Sequence, residues 1–118
     1  MAKMINSLFV YGTLAPGREN GHLLGAIPGG SWVPGSVRGT LHPLGWGKTM
    51  GYPAIRLEHD GGRVEGLVFS SQAIGQYWGM LDEFEGDAYQ RVITRVALQD
   101  ESVVEAYVYE LKQVGFRR

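Results

Sequence analysis

Residues 63–86 read Arg-Val-Glu-Gly-Leu-Val-Phe-Ser-Ser-Gln-Ala-Ile-Gly-Gln-Tyr-Trp-Gly-Met-Leu-Asp-Glu-Phe-Glu-Gly, and the hydrophobic period changes halfway along. Arg63 to Ser70 is a short apolar run of strand type. From Ser71 to Glu85 the pattern becomes helical: Ile74, Trp78, Leu81 and Glu85 follow one another at spacings of 4, 3 and 4, one stripe of a helix, and Tyr77 and Phe84 widen it. Ser70 or Ser71 can cap this helix and Gly86 can stop it. Gly75 and Gly79 each weaken it by ~1 kcal/mol relative to Ala, which points to close packing on their side.

On either side of this stretch the chain reads as strands. Ala54 to Glu58 and Arg63 to Ser70 are expected to form a hairpin across Asp60-Gly61-Gly62. Gln90 to Gln99 and Ser102 to Leu111 form a second pair across Asp100-Glu101. The last run is apolar on both faces, which suits a central or barrel strand. Asn6 to Tyr11 is a short strand ending at Gly12. A polar loop follows from Ala15 to Asn20, and Asn20 can cap a short helix through Leu24 that Gly25 stops. Pro28 to Gly51 is rich in Gly and Pro, with one bent strand around Ser36 to Leu41 and an irregular loop after it. These elements predict a single α+β domain over 1–118: a mixed sheet or small closed β-barrel with one main helix and short helices.

Composition agrees with that and excludes several functions. A chain of 118 residues with 44% apolar and 19% charged residues can bury a core without staples. A net charge of −1 supplies no general field for nucleic acid or anionic lipid. The absence of cysteine removes disulfides, thiolate catalysis and Cys-ligated metals. His22, His42 and His59 lack ligand spacing, so no metal is expected. The 18 glycines imply many tight turns and short strands. The N-terminus has no signal pattern and no apolar run is long enough for a bilayer, so a cytoplasmic protein without membrane or nucleic-acid partners is expected.

Three places could carry chemistry. Glu85 lies on the apolar stripe at the helix C-terminus. Burial, the macrodipole and the neighbouring Asp82 and Glu83 should all raise its pKa toward the range of a general base. Its alternative is an ion pair with Arg91 that only anchors the loop. The turn Tyr11-Gly12-Thr13-Leu14 after the first strand can offer successive main-chain N–H groups to an anion, although no P-loop or GxGxxG is present. Finally, Tyr89 can turn a hydroxyl to a pocket and Arg91 can fork onto a carboxylate. Their alternative is a half-buried aromatic and a surface charge. Trp32, Trp46 and Trp78 read as core or loop anchors.

Taken in order, Phe9-Val10-Tyr11-Gly12-Thr13-Leu14, Gly51-Tyr52-Pro53, Val64-Glu65-Gly66-Leu67-Val68-Phe69, Leu81-Asp82-Glu83-Phe84-Glu85-Gly86, Tyr89-Gln90-Arg91 and Ala106-Tyr107-Val108-Tyr109 resemble the γ-glutamylcyclotransferase-like (AIG2-like) proteins over nearly the whole chain. The likeness is nearest to the small bacterial and γ-glutamylamine cyclotransferase types. Thr13 stands where that family often has Ser, keeping the hydroxyl and the amide. The resemblance implies a cofactor-independent enzyme that closes the α-amine of a γ-glutamyl amide or peptide onto its own γ-carbonyl, releasing 5-oxoproline and an amine. It implies Glu85 as acid/base, Gly12, Thr13 and Leu14 as the ligand-binding turn flanked by Tyr11, and Tyr89 lining the pocket, with Tyr52 and Arg91 as further substrate contacts. Selection of the leaving amine is expected in the Arg38 to Pro53 segment. The fold also suits a non-catalytic binding domain using the same cavity, or an interaction module built on Pro28 to Tyr52.

Overall fold

The computed structural model describes residues 5–11, 22–42, 54–86 and 89–112. Their elements are β1 (Ser7–Val10), α1 (His22–Gly25), β2 (Ser31–His42), β3 (Ala54–Leu57), β4 (Gly62–Ser70), a 3-10 turn (Ile74–Gln76), α2 (Trp78–Glu85), β5 (Tyr89–Leu98) and β6 (Val103–Leu111). The strands lie in the order β3-β2-β4-β1-β6-β5. Pairing of Gly35 and Ser36 with Leu98 and Ala97 joins β2 to β5 and closes five strands into a barrel. The sheet is mixed because β1 runs parallel to β6 while the other pairs are antiparallel.

Period-two alternation sorts the apolar side chains into two cores. Phe9, Val37, Val64, Val68, Val96, Ala106 and Val108 come from all five barrel strands and fill the interior, joined by Ile55 of β3. Leu8, Val10, Phe69, Tyr109 and Leu111 face outward and are covered by Leu24, Ile74 and Leu81 from the helical segments. The double-sided apolar pattern of β6 is thereby explained: Ala106 and Val108 point into the barrel, while Tyr109 and Leu111 lie in the layer that α2 covers.

Several expectations need correction. Four of the described strands are not short: β2 has 12 residues, β5 has 10, and β4 and β6 have 9 each, while β1 and β3 have 4. Gly35, Gly39 and Gly66 mark close approaches inside long strands. β2 begins at Ser31 instead of Ser36 and runs through Pro34. No β5 residue is registered opposite that proline, so its missing N–H breaks no closure bond.

The two strands flanking Asp60-Gly61-Gly62 do not pair with each other. Both pair with β2, β3 along Gly39–His42 and β4 along Ser31–Gly39, and Gly39 is in register with both Leu57 and Gly62. Two glycines make the switch possible. A Cβ on Gly39 would lie 2.6 Å from the Arg56 carbonyl oxygen, and one on Gly61 would lie 2.9 Å from that of Gly39.

The predicted 71–85 helix is two shorter pieces. The Ser71 hydroxyl accepts from Ala73 N–H (3.1 Å) and donates to Pro28 O (2.7 Å), so it ties down a turn. A 3-10 turn follows, and α2 starts only after Tyr77. Nor do Gly75 and Gly79 mark close packing: both are exposed, and a Cβ on either would meet nothing within 4 Å. The expected start of α1 at Asn20 lies outside the described residues.

The same substitution therefore has opposite effects at two glycines. Gly79→Ala should stabilise α2 by up to about 1 kcal/mol. Gly66→Ala should destabilise by roughly 1–3 kcal/mol, because its Cβ would strike the Val10 carbonyl oxygen and lie 2.6 Å from the Phe9 ring. Urea unfolding of both variants checks the pair of signs.

Candidate functional site

At one end of the barrel β3 is held by side chains. The Tyr11 hydroxyl, just past β1, donates to Tyr109 O (3.0 Å) and accepts from Ile55 N–H (3.1 Å). Two residues on, Leu57 N–H donates to Glu110 Oε2 at 2.8 Å. Arg56 donates to Leu111 O at 2.6 Å, with Glu110 Oε2 4.0 Å from the same nitrogen. Tyr11 and Glu110 thus serve the N–H groups of β3 that β2 leaves over. Burial drives the Tyr11 phenol above its ordinary pKa, with the charge of Glu85 adding to the rise. This hydroxyl stays neutral and structural.

Glu85 closes α2 against this end of the barrel. It is 7% exposed, and Gly86, at φ 87, turns the chain away immediately after it. Burial pushes its carboxyl up to about 7 from an ordinary 4.5. Its position at a helix C-terminus acts in the same direction. The expected repulsion from Asp82 and Glu83 is not the cause: both are exposed, and Asp82 is held by partners of its own. Glu85 lies near enough to Tyr11 and Tyr109 for its charge to raise both phenols. Tyr89, buried at the start of β5, packs in the same outer core as Tyr109 and Leu81.

Arg91 does not pair with Glu85. Its guanidinium forks onto Asp82, Nε to Oδ1 at 2.9 Å and Nη2 to Oδ2 at 3.3 Å. It also lies between two rings, 4.4 Å from Trp78 and 4.6 Å from Tyr107. The Tyr109 hydroxyl donates to the same Asp82 Oδ1 at 2.6 Å. Partial burial opposes ionisation of Asp82, but the Arg91 fork and the Tyr109 hydroxyl win and hold its carboxyl below the ordinary range. This cluster clamps α2 to the β5–β6 hairpin, and the fork predicted for a substrate carboxylate is taken by Asp82. Trp32 packs on Phe69, ring centres 4.8 Å apart, as an anchor.

The chain matches the family model described as gamma-glutamyl cyclotransferase, AIG2-like, over residues 8–117. It belongs to that family. Solved structures share the fold at low identity. YkqA from Bacillus subtilis matches 92% of this chain at 22% identity and a TM-score of 0.66. An Arabidopsis thaliana protein matches 93% at 23% identity and 0.68, and an AIG2-like protein from Mus musculus matches 92% at 23% identity and 0.65. The chain spans 36%, 64% and 78% of those three proteins. No curated protein sequence is detectably similar to it.

Of the residues that resemblance singles out in this γ-glutamyl cyclotransferase-like chain, Glu85, Tyr11 and Tyr89 converge at one end of the barrel, with Arg91 engaged beside them. Gly12, Thr13, Leu14 and Tyr52 lie outside the described residues, as does the Arg38 to Pro53 segment beyond His42, where β2 ends. Trp46 is outside them too. Sequence reading missed Glu110 and the holding role of Asp82. Glu110 was detectable: it continues the inward 106, 108, 110 alternation of β6, where an acid needs donors. Among the described residues no helix is long and apolar enough to cross a membrane.

Two outcomes test this geometry. A rise from 4.5 to about 7 for Glu85 corresponds to roughly 3 kcal/mol. The native state holds the proton more tightly than the unfolded chain. This contribution is therefore complete below about pH 4.5 and is lost as pH climbs through about 7. Glu85→Gln should gain stability relative to wild type across that window and stay level above it, as read by denaturant midpoints at a series of pH values. Asp82→Asn should cost about 1 kcal/mol, since Asp82 is part exposed, and should remove the near-ultraviolet signature of the Trp78–Tyr107 pair.

Proposed function

We propose that this chain is a γ-glutamyl cyclotransferase, releasing 5-oxoproline and a free amine from a γ-glutamyl amide or short peptide. The observation that carries the reading is a buried glutamate with a pKa near 7, Glu85, at the end of the barrel where Tyr11 and Tyr89 also sit. Family membership supports the reaction class.

In this reading the substrate supplies its own nucleophile. Glu85 accepts a proton from the α-ammonium group. The freed amine attacks the γ-carbonyl carbon, and a five-membered ring closes through the new C–N bond. The ring nitrogen releases its second proton to solvent, the old C–N bond breaks, and Glu85 returns its proton to the leaving nitrogen, giving a neutral lactam and a free amine. The folded-back substrate makes the attack intramolecular, which can lower the barrel-bound barrier by several kcal/mol. Main-chain N–H groups of Gly12, Thr13 and Leu14 polarise the carbonyl and hold the α-carboxylate. Tyr89 and Tyr52 line the pocket. Arg91 acts on substrate only through α2, because its fork is occupied. No cofactor enters.

A carboxyl titrating near 7 is half ionised at neutral pH, so it can both take and return a proton. The base form is needed first. kcat/KM should therefore rise with pH and level off above an apparent pKa of about 7. Glu85→Gln should lower kcat/KM by at least about 100-fold with the circular dichroism spectrum unchanged. The assay is chromatographic detection of 5-oxoproline from a panel of γ-glutamyl amines and dipeptides. If no member is turned over while 5-oxoproline raises the melting temperature of wild type and of Glu85→Gln alike, the protein is a binding domain and the catalytic reading fails.

A further inference from the structure

The opposite end of the barrel carries a second polar feature. β2 and β5 are in register at Gly35 with Leu98 and Ser36 with Ala97, and pairing stops there. Two residues further along the same ladder, Arg38 would face Arg95. On the other side of β2, Arg38 is directly opposite Arg63 of β4. Arg63, Arg38 and Arg95 thus occupy one row across three neighbouring strands, with strands spaced about 4.8 Å apart where they are paired. All three are exposed. Inward-facing Val37, Val64 and Val96 alternate with them, so the arginines share the outer face.

Like charges directly opposite on a sheet are destabilising. Acids stand beside the row: Glu105 of β6 is directly opposite Arg95. Arg63 pairs with Glu65 at 2.7 Å, both side chains two-thirds exposed, and Arg38 donates to Gly61 O at 3.4 Å. Where β2 and β5 part, they leave a groove of about 860 Å³. The three arginines line it with Ser36, Gln99 and Glu101. Glu101 is held at φ 71, the left-handed region that a residue with a side chain enters at a cost. The β5–β6 turn requires it there, with Leu98 N–H donating to Ser102 O at 2.9 Å and Glu101 N–H to Leu98 O at 3.1 Å.

The groove is separate from Glu85. Glu85 acts on Tyr109, near the Tyr89–Leu111 end of the β5–β6 ladder, while the groove lies at the Ala97–Val103 end. Arg95, on the near side of the groove, is four residue steps from Arg91, the register partner of Tyr109, about 13 Å of strand. The groove's volume is on the scale of small-ligand pockets. The net charge of −1 offers no wide basic field for a nucleic acid.

The geometry points to a second binding site, in the groove between β2 and β5, for a small organic anion bearing two or more phosphoryl or carboxylate groups. Guanidinium forks on Arg38, Arg63 and Arg95 grip its oxygens. The anion bridges β2 and β5 where they part, so its binding stabilises the barrel seam. Glu101 opposes it and limits affinity.

Isothermal titration of the full chain with tripolyphosphate and with citrate, at constant ionic strength, tests the site. Wild type should bind at least one of them. Preference for tripolyphosphate assigns a phosphorylated ligand, and preference for citrate a polycarboxylate. Arg38→Gln combined with Arg95→Gln should weaken binding at least ten-fold, and Glu101→Gln should strengthen it. Glu85→Gln should leave it unchanged, which separates this site from the proposed catalytic one. No binding of either probe, binding indifferent to the double arginine variant, or binding lost with Glu85→Gln would overturn the assignment.

Discussion

Strand β6 must be buried on both faces, and the architecture follows from that. Its inward residues Ala106 and Val108 need a closed barrel, and its outward Tyr109 and Leu111 need a second layer. β1 and β5 flank it, while α2 and the 3-10 turn supply the cover. A strand with this pattern at a solvent-facing edge would leave one apolar row in water. The barrel and its helical flank are two answers to a single hydrophobic requirement.

The same packing creates the unusual carboxyl. α2 has to lie on the outer core through Leu81, and Glu85 is one helical turn further on the same stripe. Its burial is imposed by the neighbours that hold the helix. The clamp of Asp82, Arg91, Trp78, Tyr107 and Tyr109 secures α2 from its exposed side. It also takes up Arg91, the cation the sequence offered to Glu85. The Glu85 carboxyl is raised by its burial.

Some features were legible because they are local. The strand that ends at Ser70, the stop at Gly86 and the Asp100-Glu101 turn each rest on a few consecutive residues. At that last turn Ser102 N–H donates to Asp100 Oδ1 at 3.0 Å. Other features were misread for the opposite reason. Asp60-Gly61-Gly62 has the chemistry of a hairpin turn, yet both neighbouring strands select β2. Gly39 and Gly61 permit that contact only once the three strands have met. Gly79 looked like a packing residue and proved to be exposed helix surface. Arg91 looked like a partner for Glu85 or for substrate until the placement of Asp82 was known.

Amino-acid order alone determined an α+β architecture with a double-sided strand at Val103–Leu111, an acid at the end of an apolar helical stripe, and the family to which the chain belongs. Each of these depends on the spacing of side chains along one segment. Tertiary structure decided which strands pair, where β2 leaves β5, which carboxylate receives Arg91 and how Tyr11 and Glu110 fasten β3. Those outcomes are competitions between groups far apart in the chain, settled by which partners the closed barrel brings within hydrogen-bonding distance.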